Sequence, residues 1–293
     1  MRRLEPLRPA EGWLFGPENA RRLAAVRIGL CGVLAVRLAI TDYGAVAAQP
    51  RALFQPVFYM HLLGGMPSQD GARALQIFGV GAALVAAAGL AIRVSLPVAL
   101  GCSLVLDGML NSAGRIIVGD AVLTLCLIVL VASGRAAGEA LSLRGRGSRA
   151  TGVRYGWPIR TMMIVVALTY FFAGVQKWRY AGAAWFTSDN LRWILYGQPH
   201  PNDLAFFVAD RPLLAHVLAV GALLLETCFP LILLVPRLRW LFIPAAVALH
   251  VGIRLTIGLD YSAQWLALLV VFVNWPAVVV RLGRAATPVP VPT

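Results

Sequence analysis

Residues 23–41 read LAAVRIGLCGVLAVRLAIT, and stretches of this kind recur to the end of the chain. An apolar run of about 20 residues, wound into a helix, is long enough to cross the hydrocarbon core of a bilayer. Charged residues make up only 13% of the 293 positions and hydrophobic ones 59%. A soluble domain carries about 25% charge. These runs predict an all-α polytopic membrane protein with about eight transmembrane helices, at roughly 23–41, 73–92, 94–112, 117–133, 158–176, 212–235, 239–258 and 262–281.

The basic residues fit that count. Eight spans place both termini on one side. Sixteen basic residues then share it: Arg2, Arg3, Arg8, Arg21, Arg22, Arg93, Arg135, Arg144, Arg146, Arg149, Arg154, Arg160, Arg237, Arg239, Arg281 and Arg284. Eight fall on the other: Arg51, Arg73, Arg115, Lys177, Arg179, Arg192, Arg211 and Arg254. Positive charge accumulates on the cytoplasmic face. The expectation is a multi-pass inner (plasma) membrane protein with both termini cytoplasmic. The net charge of +13 is thereby assigned to orientation, and nucleic acid is not an expected partner.

Within this plan, 1–22 is a cytoplasmic segment and 23–281 a single transmembrane domain. Residues 134–157, rich in Gly, Arg and Ser, read as a flexible cytoplasmic linker, and 282–293, with TPVPVPT, as a disordered tail. Residues 1–22 have no signal-peptide h-region, so the first span is expected to act as its own insertion signal. The outer loops, 42–72 and 177–211, contain Phe54, Phe58, Tyr59, Trp178, Tyr180, Trp185, Phe186, Trp193 and Tyr196. Aromatics among Gly and Pro predict short interfacial helices there; an ordinary aromatic belt is the plainer alternative.

Ionisable groups inside spans are costly and usually functional. Arg37, Asp42, Asp107, Asp120, Lys177, His250 and Arg254 all fall toward the outer half by this count, and Glu226 nearer mid-membrane. Each has a plain alternative. Arg37 and Arg254 can neutralise Asp107, Asp120 or Glu226; Asp120 can favour a helix start; His250 can be a satisfied core histidine. His61, His200 and His216 read as loop or interfacial residues. The four cysteines lie in apolar runs without metal-ligand spacing, and no metal is expected.

Lys177, in YFFAGVQKWRY, is the only lysine; the other 25 basic residues are arginine. Arginine supplies a fixed charge, whereas lysine can lose its proton near neutral pH when buried beside another cation such as Arg179. A neutral amine can serve as base or nucleophile. A lysine reaching from a helix end to the membrane surface is the alternative.

YFFAGVQKW resembles the Y-F-x-A-G-x-x-K segment of the vitamin K-dependent gamma-carboxylases and of bacterial membrane proteins that share their HTTM domain. LAAVRIGL, RIIVGDAVLTL with Asp120, LLLETCFPLILLVPRLR with Glu226 and ALHVGIRLTIGL with His250 resemble further family segments, in the same order, over about residues 20–280. The resemblance implies Lys177 as the catalytic base. The carboxylases have paired lysines in this segment; Lys177 matches the second, and Gln176 stands in place of the first. It also implies a reduced quinone of the vitamin K or menaquinone type as cofactor. The implied reaction is deprotonation of that quinol, its reaction with oxygen, and carboxylation of a peptide glutamate. His250 is the candidate to orient or stabilise an oxyanion. Trp178, Arg37, Asp120, Glu226 and Arg254 are candidate cofactor-binding residues. The expected partners are membrane lipids or lipoquinone, with a secreted peptide or protein as possible substrate. Two other functions remain open here: a non-catalytic maturation factor or scaffold binding a lipid or exported peptide, and a transporter.

Overall fold

The computed structural model describes residues 8–63, 65–113, 118–143, 148–199 and 202–285. TPVPVPT, most of the expected tail, lies outside them, as do residues 144–147 of the expected linker. Helices dominate, and the two strands have two residues each. In chain order the helices are α1 (Arg8–Leu14), α2 (Ala20–Ile40), α3 (Tyr43–Ala47), α4 (Gln69–Ala87), α5 (Ile92–Ser112), α6 (Ala121–Ala132), α7 (Val153–Ala181), α8 (Ala184–Thr187), α9 (Asn190–Tyr196), α10 (Asp203–Ala209), α11 (Pro212–Cys228), α12 (Leu231–Leu234), α13 (Arg239–Ile257), α14 (Ser262–Phe272) and α15 (Trp275–Ala285). The strands are β1 (Glu18–Asn19) and β2 (Thr151–Gly152).

The expected eight spans are not what the chain builds. Among the described residues, four helices are long and apolar enough to cross a membrane: α2, α5, α7 and Pro236–Ile257, which contains α13. A fifth is added if α10 and α11, bent by 95°, count as one broken span. The other expected spans fail for local reasons. α4 opens on Gln69, Asp70, Arg73 and Gln76, which shortens its apolar length. α6 has 12 residues and α14 has 11. At about 1.5 Å per residue each covers little more than half of a bilayer core. Asn274 and Pro276 interrupt the run that looked continuous from 262 to 281, and Pro230 lies between α11 and α12.

Two compact units form, Met1–Met162 with Leu269–Thr293, and Met163–Leu268. In the first, α2 packs along α4, and α4 along α5. The packing faces are small. α4 buries Ala72, Gly79, Ala83 and Ala86 and leaves Ile77, Phe78, Leu84 and Val85 exposed. Small residues inside and large apolar ones outside is the arrangement for a surface that meets lipid, since water would reverse it. The strands tie the approach to α2 to the approach to α7: Glu18 pairs with Gly152 and Asn19 with Thr151, antiparallel. The Asn19 side chain also caps α2 by accepting from the Arg21 N–H at 2.8 Å.

Arg27 holds this unit together from inside α2. It is fully buried, and its guanidinium donates to the carbonyls of Ala137 (2.5 Å), Ala140 (3.2 Å), Leu141 (2.8 Å) and Ala87 (3.1 Å). Ala87 ends α4, where helix carbonyls lack intrahelical donors. The Ser142 hydroxyl donates to Gly89 O at 2.9 Å, and Leu143 N to Ala88 O at 3.1 Å. The described residues of 134–143 therefore lie against the turn between α4 and α5.

In the second unit, α11 repeats the pattern. Ala215, Ala219, Leu223 and Glu226 are buried; Leu213, Val217, Leu218 and Leu224 are exposed. Gly174 of α7 permits close approach to α11. A Cβ there would lie 2.6 Å from Thr227 Oγ1 and 2.7 Å from its backbone N, so only a hydrogen fits. A small cluster of Leu195, Ala205, Val208, Ala209 and Ala215 joins α9, α10 and α11.

Candidate functional site

The site is built on α7. Tyr170 and Lys177 are seven residues apart, two turns, and so share a face. Lys177 Nζ forms an ion pair with Glu226 Oε2 from α11. The two side chains keep 21% and 10% of their exposure. Lys177 Nζ also lies 5.2 Å from the centroid of the Trp185 ring, in cation–π range. The Tyr170 hydroxyl lies 2.9 Å from His250 Nε2, on α13. The Tyr170 ring stacks on Phe229, centroids 4.1 Å apart and planes 14° apart. Tyr261 covers another side of His250 at 5.2 Å between centroids, and buried Gln264 borders the Tyr170 hydroxyl.

Buried polar atoms almost always find partners. Three around this cluster have none among the described residues: His250 Nδ1, Trp185 Nε1 and Thr227 Oγ1. An indole N–H can only donate, and an imidazole nitrogen or a hydroxyl can donate or accept. Such a set can bond the oxygen atoms of a ligand. A quinone or quinol has that chemistry, so the residues present fit such a group. Among the described residues no three His, Cys, Asp or Glu side chains converge in a way that could hold a metal ion.

The sequence-derived candidates separate into two places. Lys177, Glu226 and His250 converge in the second unit, as described. Trp178 follows Lys177 but is partly exposed, with its ring edge-on to Phe186 at 6.1 Å. Arg254, one turn beyond His250, pairs instead with Asp260 at 3.1 Å. Arg37 and Asp120 belong to the first unit and bind each other. Arg37 Nε donates to Asp120 Oδ1 at 3.0 Å, and Nη2 to Oδ2 at 3.0 Å. Arg37 Nη1 adds a bond to Thr41 Oγ1 at 3.0 Å. This two-pronged fork is the strong form of a guanidinium–carboxylate contact. Asp120 precedes α6 without capping it. Asp42 caps α3 through Ala45 N at 2.9 Å. His216 meets Ser188 O at 3.2 Å, and His200 lies outside the described residues. Cys31, Cys102 and Cys126 are buried free thiols, and Cys228 is half-buried.

Sequence reasoning missed Tyr170, Trp185, Thr227, Phe229, Tyr261 and Gln264. One signal was available: Tyr170 stands two turns from Lys177. The others reach the cluster only through helix packing.

Fold and site define the class: an all-α membrane protein with a buried charge pair and an adjoining tyrosine–histidine pair. No family model, curated protein or solved structure matches this chain.

Proposed function

We propose that residues 163–268 form the ligand site of a membrane-embedded enzyme of the gamma-carboxylase-like kind, which acts on a lipid-soluble quinol at Lys177. The observation that carries this reading is the buried Lys177–Glu226 pair with three unpartnered polar atoms beside it. When bound, a quinol supplies an ionisable hydroxyl and an electron-rich ring, the starting point for oxygen-dependent carboxylase or epoxidase chemistry. Lys177, His250, Trp185 and Thr227 are the residues that would hold its oxygens.

The ion pair bears directly on the base assignment. In water-accessible surroundings the proton sits on Lys177 and the negative charge on Glu226. Exclusion of water makes separated charge expensive. A ligand that closes the site therefore favours transfer of the proton to the Glu226 carboxyl. Lys177 Nζ then has a free lone pair and can accept a proton. Glu226 thus stores the proton that Lys177 must lose. Arginine cannot take part in this exchange.

The arginine pattern supports a cytoplasmic location for residues before α2 and for 133–152. The aromatic short helices α8, α9 and α10 suit the opposite interface.

The test is Lys177→Arg. The variant should keep the fold and retain co-purifying quinone, identified by mass spectrometry of extracted lipids, and lose quinol turnover. Undiminished turnover would remove Lys177 as the base. Co-purification of a lipid or exported peptide without turnover in the wild type would leave the scaffold function.

A further inference from the structure

His250 is 6% exposed, and only one of its ring nitrogens has a partner among the described residues. No unpaired carboxylate among the described residues is seen to favour a charged imidazole. Glu226 is already paired with Lys177, and the rings against His250 are those of Tyr170 and Tyr261. A neutral imidazole offers one N–H and one lone pair, and a phenol one proton and an accepting oxygen.

Two arrangements satisfy the 2.9 Å contact. In one, Tyr170 donates to Nε2, the ring proton sits on Nδ1, and a single group, Nδ1–H, is left over. In the other, Nε2–H donates to Tyr170, and both the Nδ1 lone pair and the phenol proton are left over. Tyr170 is 2% exposed, so water does not take up the difference. Fewer unmet buried groups favours the first arrangement. Stacking on Phe229 fixes the phenol's direction.

We propose that Tyr170 is a positioning residue: by donating to Nε2 it holds His250 in the Nδ1–H form, making that buried N–H a fixed donor to a ligand oxygen. This rests on the reading of 163–268 as a site for an oxygen-bearing ligand. It gives α7 two duties on one face, Lys177 toward the proton and Tyr170 toward the donor.

The tautomer can be read without ligand, by 15N NMR of the full chain in nanodiscs with labelled histidine. The chain has four histidines, and a His250→Asn sample identifies the relevant signals. The expected wild-type result is a protonated Nδ1 and a bare Nε2. Tyr170→Phe should move the tautomer ratio toward Nε2–H by about tenfold, the worth of one hydrogen bond. A protonated Nε2 in the wild type overturns the proposal, as does a ratio that Tyr170→Phe leaves unchanged. If Tyr170→Phe does not fold, the wild-type spectrum still decides, together with menadione binding to two substitutions. His250→Asn keeps an N–H near the Nδ1 position and should bind within about threefold of wild type; His250→Gln should bind about tenfold more weakly. The reverse order counts against the proposal. Failure of menadione to bind any form refutes the quinone reading alone, because the spectrum judges the tautomer separately.

Discussion

At the scale of single residues, the Lys177–Glu226 pair makes a prediction that separates charge balance from chemistry. Each charge is buried enough that removing one strands the other. Lys177→Met or Glu226→Gln should each destabilise the protein by about 3 kcal/mol. The double variant should recover most of that loss, because no unpaired charge remains. Thermal unfolding in detergent measures all three. Losses that simply add would show that the two groups are not coupled. Lys177 stood out in the sequence as the one amine among arginines, and Glu226 as a carboxylate within an apolar run. Their pairing could not be read, because 49 positions separate them and the contact depends on how α7 meets α11. Arg37 and Arg254 show the same limit. The sequence offered both of them Asp107, Asp120 and Glu226; packing chose Asp120 for Arg37, and gave Arg254 Asp260, which was not among them.

Among elements, the turn between α4 and α5 is held by Arg27. The sequence marked Arg27 only as a charge inside the first span. Its role appears once α2 places it beside four carbonyls from two segments. Arg27→Met should cost more than about 3 kcal/mol, since several buried acceptors lose a charged donor together. Arg27→Lys should cost less but still weaken the unit, because an ammonium lacks the planar fork that reaches several carbonyls. Thermal unfolding of both variants orders them, and a neutral Arg27→Met would refute the role. The helices themselves were largely legible from the apolar runs and their length. Where the count went too high, the error lay in breakers and ends. Pro230, Asn274 and Pro276 divide runs that hydropathy alone joins, and Asp70 and Arg73 shorten α4.

For the molecule as a whole, topology follows from the strand pair. Glu18–Asn19 and Thr151–Gly152 are hydrogen-bonded neighbours, and the topology expected from this has an even number of membrane crossings between them. Single cysteines placed at Gly16 and Ser148 should react from one side with a membrane-impermeant maleimide, and one at Gln49 from the other. Labelling of Gly16 and Ser148 from opposite faces would dismiss this arrangement. The sequence by itself determined the class, because nearly 60% hydrophobic residues in long runs have no stable place except a membrane. It also determined which residues were chemically out of place, since a charge in an apolar run is conspicuous without coordinates. Tertiary structure alone decided which of those charges meet, how many helices are long enough to cross, and that Tyr170 and His250 share a hydrogen bond. Those are distances between segments far apart in the chain, set by side-chain size at close approaches such as Gly174 against Thr227. Local composition carries no measure of them.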